Sequence, residues 1–163
     1  MKKKTHKNSS SSGSSVMDLI KQDHDHVKSL FEAFQEAEDQ DEKGKIAEEV
    51  MAELNVHTLL EEEIFYPAYR QLLEKEEDLE IMDEALEEHH VVHLLIKELE
   101  ALGPDGERYT AKFKVLQENV EHHIQEEESQ ILSKAKKTEA NSPEIAERML
   151  QRKEELKNVY AVA

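Results

Sequence analysis

A chain of 163 residues with a net charge of −17, no cysteine, 4 glycines and 3 prolines has the size of one domain and the composition of long helices. Without cysteine there are no disulfides, thiolate-held clusters or cysteine nucleophiles, and metal ligands are restricted to histidine and carboxylate. The acidity argues against nucleic acid or an anionic membrane as partner, and no apolar run approaches spanning length.

Residues 1–16 read as a flexible arm, lysines followed by serines and glycine. No apolar stretch follows the basic residues, so a secretory signal is not expected and a cytoplasmic protein is. Met17-Asp18 reads as a natural start, with the arm an addition to it.

The first helix is predicted from Met17 to Glu38, with Ile20, His24, Val27, Phe31 and Phe34 on one stripe at steps of three and four. His26 lies about 200° round from His24 and should face solvent. Asp39 to Gly44 is the expected connection, and the second helix follows from Lys45. Its stripe is Ile46, Val50, Leu54, His57, Glu61 and Ile64. Pro67 should kink or break it, with a helical continuation toward Lys75. The third helix is predicted over residues 79–102, with Met82, Ala85, Leu86, His89, Val92, His93, Ile96 and Leu99 on its stripe. Gly103-Pro104-Asp105-Gly106 stops it. The fourth, over residues 107–136, carries Tyr109, Phe113, Leu116, Val120, His123, Glu127 and Ile131. His90 and His122 fall about 100° off these stripes and read as solvated. Asn141-Ser142-Pro143-Glu144 starts a fifth helix, with a cap and an early proline. Its stripe of Ile145, Met149, Leu156 and Tyr160 either covers the bundle or joins subunits of a homo-oligomer.

The stripes contain residues that a core does not ordinarily accept. Glu61 is a carboxylate on an apolar face, one turn from His57, and burying it needs positive compensation. The arrangement recurs: His57-x-x-x-Glu61-Glu62 returns as His123-x-x-x-Glu127-Glu128, and Asp23-His24-x-x-Val27 as Glu88-His89-x-x-Val92. Two related hairpins folded as an antiparallel up-down-up-down four-helix bundle point every stripe inward. His24, His57, Glu61, His89, His93, His123 and Glu127 then surround one interior place. Facing carboxylates and crowded imidazoles cannot all be satisfied by hydrogen bonds, and two cations resolve both problems. Nitrogen and oxygen donors suit iron, with manganese or zinc as alternatives.

These residues resemble the hemerythrin-like, or HHE cation-binding, domain over about residues 17–136, with residues 137–163 as an additional C-terminal helix. The resemblance implies two non-haem iron ions under an oxo or hydroxo bridge. It implies that His89, His93 and His123 hold one iron, His24 and His57 the other, and that Glu61 and Glu127 bridge. Glu128 is the alternative to Glu127, because blood-type hemerythrins use an aspartate five residues after the histidine. The open position beside the two-histidine iron would bind O2 or another diatomic ligand in an apolar pocket, expected here from Phe31, Phe34, Ile64, Phe65, Leu116 and Val120. A carrier, store or sensor of O2 is the leading expectation, a binding protein rather than a catalyst. The alternatives are an oxidoreductase acting on NO, peroxide or O2, and an iron-handling or repair protein.

Overall fold

The structure, a computed structural model, describes residues 13–162, so most of the expected arm lies outside the described residues. The bundle is formed by α1 (Val16–Glu36), α2 (Gln40–Leu60), α4 (Glu76–Leu102) and α5 (Tyr109–Glu126). Two short helices, α3 (Tyr66–Arg70) and α6 (Ser133–Ala135), continue α2 and α5, and α7 (Pro143–Tyr160) lies outside. The chain is all-helical, in the up-down-up-down order expected.

Local chemistry fixes the ends. Ser15 and Asp18 form a reciprocal capping box at the start of α1. Asp39 accepts from the Glu42 amide, so α2 begins at Gln40 and the acidic stretch expected as a linker is its first turn. Acids are stabilised there by the unsatisfied amides of a helix start. Gly103 takes a φ of +76°, and a side chain on Gly106 would collide with Leu102. Ser142 and Pro143 begin α7 as read from the sequence.

The expected kink at Pro67 takes another form. A wide, π-type turn over Glu61–Phe65 joins α2 to α3, and the Tyr66 amide bonds back five residues to the Glu61 carbonyl. Pro67 follows directly at the start of α3, where its missing N–H costs least, and helix ends at Arg70 rather than near Lys75. A second wide turn, Glu127–Leu132, joins α5 to α6. Each wide turn starts at a glutamate singled out by the repeat.

The apolar interior has two parts. One, containing Val27, Phe31, Phe34, Leu54, Val92, Phe113, Leu116 and Val120, fills the end near the α1–α2 and α4–α5 connections. The other, containing Ile20, Leu60, Phe65, Met82, Ile131, Met149 and Leu156, fills the opposite end. α7 packs its Ala146, Met149 and Leu156 face across α1, α2 and the first wide turn, and so covers the bundle. Leu86, read as part of the third stripe, lies at the surface instead. No described helix is long and apolar enough to cross a membrane.

Candidate metal centre

Between the two apolar parts the helices bring together six of the seven expected residues. His24, His57, His89 and His123 come from α1, α2, α4 and α5, and Glu61 and Glu127 from the two wide turns. All six are buried, with Glu61 and His89 fully inaccessible. They fall into two overlapping groups, His24–His57–Glu61–Glu127 and Glu61–His89–His123–Glu127. Within each group one donor atom per residue lies within 4.8 Å of the others, and both groups share both glutamates. Glu127 rather than Glu128 enters the groups.

Every imidazole is oriented the same way. Its Nδ1 meets a carboxylate on the outside: Asp23 for His57 at 3.0 Å, Glu88 for His123 at 3.1 Å, Glu128 for His24 at 3.1 Å and Glu62 for His89 at 3.0 Å. Each Nε2 faces the interior, where His24 lies 3.0 Å from Glu127, His123 3.5 Å from Glu127, and His57 against Glu61. Carboxylates on the outer nitrogen fix tautomer and ring angle and make the inner nitrogen a better metal donor. The pattern obeys the repeat, Asp23 matching Glu88 and Glu62 matching Glu128. These four acids were visible as neighbours of the predicted ligands, but the stripe reading gave them no role beyond Glu128 as a fallback.

His93 is placed differently. One turn beyond His89, it is half-buried, with Nε2 3.2 Å from Thr58 Oγ1 and 3.7 Å from Glu62, and it joins neither group. The three-histidine half expected from the resemblance therefore presents two imidazoles in this geometry. Of the histidines read as solvated, His26, His90 and His122 are indeed exposed.

A residue the sequence reading passed over reaches the centre. Tyr66 Oη donates to Glu127 Oε2 and lies 3.4 Å from His89 Nε2. Burial, then the fields of Glu127 and Glu61, raise its pKa well above the usual phenol value. The proton stays on the phenol.

Paired imidazoles and carboxylates set the remaining electrostatics. Burial disfavours a charged His57, but the field of Glu61 and the bond to Asp23 outweigh it and raise its pKa well above normal. Burial likewise opposes charge on His123, but bonds to Glu127 and Glu88 bring it up to about 10. Burial raises Asp23, yet His57 and Lys153 pull it down to about 2. Even so, His24 Nε2, His57 Nε2, both Glu61 oxygens and Glu127 Oε1 are buried and crowd against one another without a well-aligned hydrogen bond. Unmet donor atoms of one kind converging on one place fit metal ions.

Beside the imidazoles is a small cavity lined by Val27, Leu54, Val92, Val120 and Ile124, with Thr58 at its edge. Of the expected lining only Val120 is there. Phe31 and Leu116 lie two turns from the nearest ligand in the apolar core beyond, and Ile64 and Phe65 belong to the opposite end. Val27, Leu54, Val92 and Val120 each lie one turn from a histidine, and Ile124 adjoins His123.

Helical bundles with inward histidine and glutamate donors are cation-binding proteins as a class. This one matches the family described as the hemerythrin HHE cation binding domain over residues 15–135. The chain belongs to that family. Its fold is similar to the crystal structure of a hemerythrin HHE cation binding domain-containing protein from Mycobacterium kansasii, with a TM-score of 0.74, 22% identity and 90% of each chain covered. A protein of Nostoc sp. named DNA nickase is 25% identical over 118 residues, which are 72% of this chain and 32% of that protein. The chain thus spans about a third of that relative's length.

Proposed function

We propose that this chain is a non-haem di-iron protein that binds O2, or a similar diatomic molecule, as carrier, store or sensor. The observation that carries the reading is the pair of donor groups sharing Glu61 and Glu127, set against an apolar cavity. Family membership supports cation binding, and the donor set of imidazole and carboxylate suits iron, with manganese and zinc as alternatives. Ferrous ions held there supply electrons and an open coordination position for a small ligand.

The chain's own residues do the rest. Glu61 and Glu127 contribute to both groups and would help hold both ions. Asp23, Glu62, Glu88 and Glu128 hold protons on the outer nitrogens, keeping the inner ones free to donate. Val27, Leu54, Val92, Val120 and Ile124 exclude water from the face where a diatomic ligand would sit, which slows its protonation and loss.

Tyr66 supports a second reading, turnover of peroxide, O2 or NO. A phenol that hydrogen-bonds Glu127 at the centre is a positioned donor that a reversible carrier does not require.

Anaerobic reduction followed by admission of O2, watched by visible absorption, separates the readings. A charge-transfer band that appears with O2 and reverses on degassing is expected. A band that decays at once to an oxidised form identifies turnover. Purified protein that carries zinc and develops no colour overturns both.

A further inference from the structure

The repeat relates the two halves residue by residue, and departures from it mark what each half does alone. On the first half Asp23 is capped by a cation of the chain itself: Lys153 of α7 lies 2.5 Å from Asp23 Oδ1 while Asp23 Oδ2 holds His57. Beside it Val56 and Leu60 are buried in the apolar core that α7 covers. The equivalents on the second half are Glu88, His122 and Glu126, away from α7, which packs on α1, α2 and the first wide turn. Glu88 Oε1 holds His123, as Asp23 holds His57, but among the described residues no lysine pairs with Glu88. Its Oε2 lies instead 4.0 Å from His122 Nε2, which is 3.2 Å from Glu126 Oε1. The three donor atoms lie within 4.8 Å of one another, with His122 63% exposed.

Two of the trio, Glu88 and Glu126, line a narrow cleft, with His122 beside them. Glu84, Glu88 and Glu126 line its outer part, and buried His123 and Glu127 line its inner part. Glu127 Oε1, buried there, lies 3.0 Å from His24 Nε2 without a well-aligned hydrogen bond. The cleft thus runs from half-buried Glu88 and Glu126, next to exposed His122, to buried His123 and Glu127, on a side that α7 does not cover.

We infer that Glu88, His122 and Glu126 form an outer capture site for a divalent transition-metal cation, which passes inward along the cleft to the buried centre. One imidazole and two carboxylates, with water completing the shell, bind such an ion loosely enough to release it. A negative cleft with apolar walls raises the local cation concentration and the rate of capture. On the first half the same approach is shut by Lys153, Val56 and Leu60, so loading is one-sided. The inference rests on the metal-centre reading above.

The test is loading of metal-free protein with Co(II), followed by stopped-flow visible absorption at low ionic strength. The His122→Ala/Glu126→Gln variant leaves every buried donor in place. It is expected to load about tenfold more slowly, to lose the salt dependence of the wild-type rate, and to reach the same final number of buried ions. Unchanged melting of the metal-free variant will show that the slowing is not a folding defect. Loading of the variant at the wild-type rate overturns the capture site and leaves the buried centre standing. Wild-type protein that takes up no Co(II) at the buried donors overturns both.

Discussion

The hydroxyl of Tyr66, in the first hairpin, donates to the carboxylate of Glu127, in the second. The residue that the repeat sets opposite Tyr66 is Leu132, which is buried and apolar. Two halves with matching donors therefore differ in the hydroxyl that only the first brings to the centre. Tyr66→Phe should keep two bound metal ions. Loss of a buried hydrogen bond to a charged group should destabilise the metal-free protein by about 1.5–3 kcal/mol, readable as a melting shift of several degrees. An unshifted melt would show that the bond contributes nothing.

Sharing of the glutamates makes the ligand residues unequal. Glu61→Ala removes a donor from both groups and should abolish binding of both ions, lowering metal content and melting temperature together. His57→Ala touches one group and should leave about one equivalent bound. Elemental analysis of the purified variants decides. Normal iron in either would remove that residue from the ligand set.

His93 gives the sharpest contrast between resemblance and geometry. Its imidazole reaches Thr58 and not the two groups. His93→Ala is expected to retain both equivalents of metal, by the same elemental analysis. Loss of one equivalent would return His93 to the ligand set.

The raised histidines predict how pH acts on the metal-free protein. His123 titrates near 6.5 when unfolded and about 10 when folded, because its bonds to Glu127 and Glu88 outweigh burial. Its contribution to stability is complete below about pH 6.5 and disappears as the pH rises through 10. Glu62 runs the other way. Hydrogen bonds to His89 and His93 lower it from 4.5 to about 2, so its contribution is present above 4.5 and disappears as the pH falls through 2. Metal must displace the protons of His57 and His123, so loading at neutral pH should release protons and remove the alkaline loss of stability. Melting curves of metal-free and loaded protein between pH 6 and 10, with proton release in weak buffer, check both statements.

The ligand stripes were legible because a helix repeats every 3.6 residues and a histidine among Ile, Val and Phe is conspicuous. His24, His57, His89 and His123 follow from that alone, and the repeat adds the pairing of each hairpin with the other. Tyr66 did not, for a reason in the backbone. At 3.6 residues per turn it lies about 140° from Glu61, whereas the wide turn stacks it above Glu61. Nothing in a periodicity count announces such a turn, although Pro67 marks the place. The apolar cavity was misassigned because size was read as proximity. Phenylalanines two turns away were chosen over the valines and leucine one turn away. The start of α2 was missed because acids were read as linker when Asp39 is a cap.

Each hairpin orients one histidine of the other: Glu128 holds His24 and Glu62 holds His89. Neither half is finished without its sibling, since an isolated α1–α2 unit would own three donors and no brace for His24. Dismantling this protein should therefore be a single event, with ions and tertiary structure departing in the same breath rather than one hairpin outliving the other.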